Sequence, residues 1–167
     1  MNRSDLSQRM IALDDIVAAL YPGTTFRCVI VGGGALLSLD IISRATLDVD
    51  VLEAPQALAR LFESFDFNDR VKALVHCFAE RYDERLIRIE PKTRAVMYYT
   101  PSIEDLIISK LYAYRAKDVQ DIDEIVKSGR YDPDLLDEIV KEAKRSALNE
   151  RVYAEMVDLY HRHFKQE

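Results

Sequence analysis

Cysteine is nearly absent from this chain: Cys28 and Cys77 are the only two. Two thiols make no disulfide framework, and both suit buried positions in a reducing cytoplasm. Neither stands at metal-ligand spacing with His76, His161 or His163, so no His/Cys metal motif is present and the three imidazoles read as structural or surface groups. No apolar run approaches the roughly 20 residues that a membrane helix requires. The first nine residues also lack the apolar centre of a signal peptide. These absences predict a cytoplasmic protein with no membrane partner. Internal repeats, low-complexity tracts and long linkers are missing as well. Positive charge is in deficit, and the net charge of -6 excludes a protein that coats nucleic acid non-specifically, although not a local basic groove. Glycine is scarce, with five residues, yet three of the five are consecutive at 32–34.

What is present is a core. Hydrophobic residues make up 49% of the 167, too many for a disordered chain and enough for one domain. Ser4 caps the first expected helix, with Leu6, Met10, Leu13, Val17 and Leu20 at helical spacing and Pro22-Gly23 as its stop. Residues 25–31 form an apolar strand, 35–42 a short helix and 46–52 a second strand. Helices are expected over 55–62 and 68–78, the latter capped by Asp66 or Asn68, and a hairpin over 85–89 and 94–99. From residue 101 the chain is helical: 103–116 with Ser102 and Asp105 as a capping box, and 119–128 ending at Gly129. A third helix opens at Asp132-Pro133, and a last one reaches about Phe164. Strands early and helices late predict an α+β chain: a single domain over 1–167, with a sheet-containing core in 1–100 and a helical part in 101–167.

The chemistry concentrates around the three glycines. Asp48 and Asp50 alternate with Val49 and Val51, so on a strand both carboxylates share one face. Two adjacent anions repel, and a shared divalent cation reconciles them. Gly32, Gly33 and Gly34 feed a helix start, whose amides suit an anion. A turn that needs positive φ explains one glycine; close approach of backbone to phosphate explains the others. Two familiar motifs are excluded. Leu37 stands where a dinucleotide fingerprint needs glycine or alanine, and no Lys-Ser or Lys-Thr follows at P-loop spacing. Mg²⁺ with a nucleoside triphosphate is the ligand pair that fits such a site. Arg44 either neutralises phosphate or pairs with Asp40.

Lys110 lies in the apolar stripe of its helix, and Asp118 and Asp121 share a face with Ile122 and Ile125. A buried ammonium must be paired. It is either an ion pair that fixes helix packing or a lysine sent to the triphosphate, and both roles are compatible. Arg81, Arg85, Arg88, Lys92 and Arg94 form a basic patch around the hairpin, which either guides RNA or nucleotide or protects a sheet edge.

Val31-Gly32-Gly33 followed by Arg44-x-Thr46-x-Asp48-x-Asp50 resembles the signature of the DNA polymerase β-like nucleotidyltransferase superfamily. Asp105-Leu-Ile-Ile-Ser-Lys110-Leu, then Lys117-Asp118-x-x-Asp121-Ile, is similar to a bacterial branch that includes the nucleotidyltransferase toxins of abortive-infection toxin–antitoxin systems. The resemblance implies a small mixed β-sheet with flanking helices. It implies Mg²⁺ on Asp48 and Asp50, nucleotide against Gly32, Gly33 and Gly34 with Arg44 and Thr46, and roles for Lys110 and Asp118 in the later motif. The reaction would move a nucleotidyl group from an NTP to an RNA or protein hydroxyl, with an antitoxin protein as partner. A third carboxylate on a later strand is also implied; Glu90 is the candidate, with Asp83 and Glu84 as rivals. Gly34 departs from the pattern, since many relatives carry Ser or Thr there. The alternative is a non-catalytic nucleotide- or protein-binding module on the same fold.

Overall fold

A computed structural model describes residues 1–165 of the chain, which divide into two compact units. The first unit, residues 1–73 and 86–100, holds the sheet; the second, residues 74–85 and 101–165 of those described, is helical. The expected division after residue 100 is thus crossed by one segment, 74–85, which clusters with the helices.

In the first unit, α1 (Arg3–Leu20) is capped by Asn2 rather than Ser4. The Asn2 side chain accepts the Asp5 amide at 2.9 Å while Asp5 accepts the Asn2 amide at 2.9 Å, satisfying two helix-start donors reciprocally. Leu6, Met10, Leu13 and Val17 are buried as their spacing predicts. Asp14 shares their face because its carboxylate has work there: it accepts the Ala95 and Val96 amides, each at 2.7 Å. Buried polar groups persist when so bonded.

The sheet is mixed, in the order β3-β2-β1-β5-β4. Its strands are β1 (Phe26–Val31), β2 (Val49–Glu53), β3 (Phe67–Asn68), β4 (Ile87–Arg88) and β5 (Val96–Thr100). β1 runs parallel to β5 and antiparallel to β2, while β3 runs parallel to β2. Residues Cys28 to Val31 are all buried, as a central strand requires. Burial pushes the Cys28 thiol up to about 12, which leaves it an inert core group. The expected hairpin exists as β4 and β5, paired antiparallel but shorter than its alternation suggests.

Two sequence expectations fail between β2 and β4. The helix of 55–62 is displaced: a 3₁₀ turn (Gln56–Leu58) leads into α3 (Ala59–Ser64). The helix of 68–78 does not form; Phe67–Asn68 is a strand and Lys72–Cys77 a 3₁₀ segment. Leu74 and Val75 stay exposed there, so no apolar stripe is buried to pay for a longer helix.

The helical unit follows the sequence closely. It contains α4 (Ile103–Ala113), α5 (Ala116–Ser128), α6 (Pro133–Glu142) and α7 (Glu150–Phe164). Ser102, Asp132 and Asn149 cap α4, α6 and α7 through side-chain oxygens, and Gly129 ends α5 at φ 62°. α4 stops three residues early because Tyr114 turns left-handed at φ 42°. Arg85 clamps this unit: its guanidinium meets Asp105 through two bonds of 2.8 and 2.9 Å and Glu142 at 3.2 Å. The hydrogen bond to Asp105 holds its pKa above the ordinary arginine range. Three of the five residues in the basic patch meet carboxylates. Arg81 and Arg85 meet Glu142, Arg94 meets Asp14 and Asp15, and Arg88 lies over the Tyr99 ring. Among the described residues, no helix is long and apolar enough to cross a membrane.

Candidate active site

β1 ends at Val31 in extended conformation, and Gly32 then turns the chain at φ 66° into α2 (Gly32–Ser38). Only glycine takes that backbone without strain. The glycines are therefore the opening turn of α2 rather than a loop before a helix at 35–42. No side chain caps this helix start, so its first amides are not claimed by a capping group.

The antiparallel register sets Asp50 directly opposite Val31, the residue before the turn. A Cβ on Gly32 would lie 3.0 Å from Asp50 Oδ2. A Cβ on Gly33 would lie 3.2 Å from the Arg44 guanidinium and 3.6 Å from Thr46 Oγ1. The missing side chains of Gly32 and Gly33 thus let Asp50, Arg44 and Thr46 close on the turn. Gly34 is buried, and a Cβ there would make ordinary contacts with Val49 and Ile30 at 3.4 and 3.5 Å, so this packing does not itself require glycine.

Asp48 is placed differently from its partner. β2 starts at Val49, not at residue 46, so pleat alternation governs Asp50 alone. Asp48 lies on the exposed bend before the strand, where Thr46 Oγ1 donates to its carbonyl oxygen at 2.9 Å. That bond rounds residues 46–48 into a turn and delays the strand. Leu47, at its tip, is 94% exposed.

Asp50 brings carboxylate oxygen to the glycine turn, with Asp48 two residues before it on the exposed bend. That chemistry suits a hard cation such as Mg²⁺, which takes one or two carboxylates and completes its shell with phosphate and water. Glu90 does not extend the set. It is exposed after β4 and accepts the Lys92 amide at 2.9 Å, and no group of three His, Cys, Asp or Glu fit for a metal occurs among the described residues. The position beside Asp50 belongs instead to Asn68, whose Nδ2 donates to Asp50 Oδ1 at 2.9 Å. The sequence pattern offers Asn68 only as one of two helix caps, with Asp66; strand pairing is what brings it beside Asp50.

Lys110 is enclosed in the helical unit. Its ammonium donates to Asp118 Oδ1 at 3.0 Å and Asp121 Oδ2 at 2.6 Å, and the residue is 3% exposed. Arg115 Nε also donates to Asp118, at 2.7 Å. Burial raises the Asp118 carboxyl, but the Arg115 hydrogen bond and the Lys110 charge outweigh it and hold the pKa below the usual range. Geometry supports the packing reading of Lys110: a cation that locks α5 onto α4.

A mixed sheet carrying an acidic strand against a glycine turn, with helices following, has the features of the nucleotidyltransferase class. Within it, this chain belongs to the family described as "nucleotidyltransferase of unknown function (DUF6036)", which it matches over residues 8–167. No curated protein and no solved structure matches the chain.

Proposed function

We propose that the protein is an Mg²⁺-dependent nucleotidyltransferase that moves a nucleotidyl group from an NTP to an RNA or protein hydroxyl, as the toxin of a toxin–antitoxin pair. The observation that supports this reading most is the closure of Asp50, Arg44 and Thr46 on Gly32 and Gly33. In this reading Asp48 and Asp50 hold the cation, which offsets charge on the reacting phosphate when bound. Gly32 and Gly33 admit the phosphates against backbone amides, and Arg44 supplies a positive charge to their oxygens. Thr46 fixes the bend that carries Asp48. A carboxylate near the acceptor hydroxyl would take its proton as the new phosphodiester forms and pyrophosphate leaves. Lys110 and Asp118 enter through the stability of the helical unit.

The test is transfer of label from α-labelled NTPs, with Mg²⁺, to RNA and to protein. Label should appear on one of the two acceptors and disappear in Asp48→Ala and Asp50→Asn, with melting temperature preserved. Full transfer by both variants overturns the assignment. The neutral amide of Asn68 beside Asp50 favours a second reading, a module that binds NTP without turnover. Saturable NTP binding with no labelled acceptor and no pyrophosphate release would select it.

A further inference from the structure

Asp50 has a neighbour whose orientation is fixed from both ends. β3 pairs with β2 so that Asn68 lies beside Asp50 and Phe67 beside Val49. Asn68 Oδ1 accepts the Arg70 amide at 3.1 Å. Only the carbonyl end of an amide can accept an N–H, so the NH₂ end is the one that meets Asp50. It donates to Asp50 Oδ1 at 2.9 Å, and the other oxygen, Oδ2, is the one that faces Gly32. Asn68 therefore sets the plane of the carboxylate. Its NH₂ presents a positive dipole end beside Oδ1, which disfavours a cation on that side. Being neutral, it also keeps the acidic set at two carboxylates, too few to hold a hard cation without other oxygens.

We infer that Asn68 is a positioning residue: it turns Asp50 Oδ2 toward the glycine turn and makes cation uptake conditional on a bound polyphosphate. This inference rests on the nucleotidyltransferase reading of the same site. It carries a consequence separate from activity. An apo protein with a weak two-carboxylate set takes up metal only together with substrate, whereas a third carboxylate at residue 68 would retain metal alone.

The experiment is Mn²⁺ binding followed by electron paramagnetic resonance, on the full chain, with and without a non-hydrolysable NTP. Asn68→Asp should bind Mn²⁺ without nucleotide at least about tenfold more tightly than wild type. Asn68→Ala should lose about tenfold in nucleotide-dependent Mn²⁺ affinity, the range expected when a group orienting a metal ligand is removed. Both variants should melt within a few degrees of wild type; should either fail to fold, the other still decides. Equal nucleotide-free affinity in wild type and Asn68→Asp, or unchanged nucleotide-dependent affinity in Asn68→Ala, overturns the inference. A wild type that takes up no Mn²⁺ even with nucleotide defeats the transferase reading and the coupling to polyphosphate with it, whereas nucleotide-dependent uptake that neither variant alters defeats the inference alone.

Discussion

The chain carries two acidic pairs, and they differ in what encloses them. Asp118 and Asp121 are buried in the helical unit against the Lys110 ammonium, each within 3.0 Å of it. Asp50 is half-buried and Asp48 exposed, and the Asp50, Arg44 and Thr46 side chains approach Gly32 and Gly33 where no side chain of the turn stands in the way. The first pair meets the Lys110 ammonium inside the helical unit. Asp50 of the second stands 3.0 Å from where a Gly32 side chain would begin. Identical residue types thus hold two helices together in one unit and form the candidate site in the other. Removing a partner of the closed pair should harm stability; altering the open pair should harm ligand binding.

The largest effect expected on this contrast comes from Lys110→Ala. It removes the ammonium from two buried carboxylates and should cost about 3–5 kcal/mol, read as a fall of roughly 10 °C in melting temperature. A shift of a degree or two would mean that the triad is not the lock described. Gly32→Ala comes next, since its φ of 66° and the 3.0 Å approach of Asp50 Oδ2 both resist a Cβ. Denaturant unfolding should show a loss of about 1–3 kcal/mol. Gly33→Ala sharpens the comparison because its tightest contact, 3.2 Å, is with the tip of Arg44, which can move, while Thr46 Oγ1 at 3.6 Å is at ordinary contact distance. Its stability should stay within about 0.5 kcal/mol of wild type, while NTP affinity falls. Equal loss of stability in both variants would make the turn merely structural.

The smallest effect is a pH dependence from the closed pair. The Asp118 carboxyl is held below its ordinary value in the folded state. Its contribution to stability is therefore complete above the unfolded value, about 3.9, and is lost as pH falls through the lower folded value. Wild type should lose stability below about pH 4, and Asp118→Asn, though weaker at pH 7, should lose less over that acid range. Parallel acid profiles for the two proteins would remove Asp118 from the account.

How much of this was readable from sequence follows from the range of the interactions. The Val29–Val31 run and Asp50 are local signals and lie on strands as their pattern places them, whereas the glycines open α2 instead of preceding it. The helical unit was legible because its caps are local too: Ser102, Asp132 and Gly129 each act within a few residues. Lys110 announced itself by standing in an apolar stripe. β3 did not, because a two-residue strand has no period and exists only by pairing with β2 across 18 residues. Asn68 was hidden for that reason. Asp48 was misplaced because the Thr46 side-chain bond outcompetes strand alternation. Arg85, read as an edge charge, is a clamp whose partner Asp105 lies 20 residues away.

The central claim is that Asp50 beside Gly32 gathers a cation and a polyphosphate. Calorimetric titration of Mg²⁺ with a non-hydrolysable NTP into wild type and Asp50→Asn tests it most directly. Saturable binding by wild type, weakened at least about tenfold in the variant, is the predicted result. Equal affinity in the two proteins, or no heat in either, would contradict it.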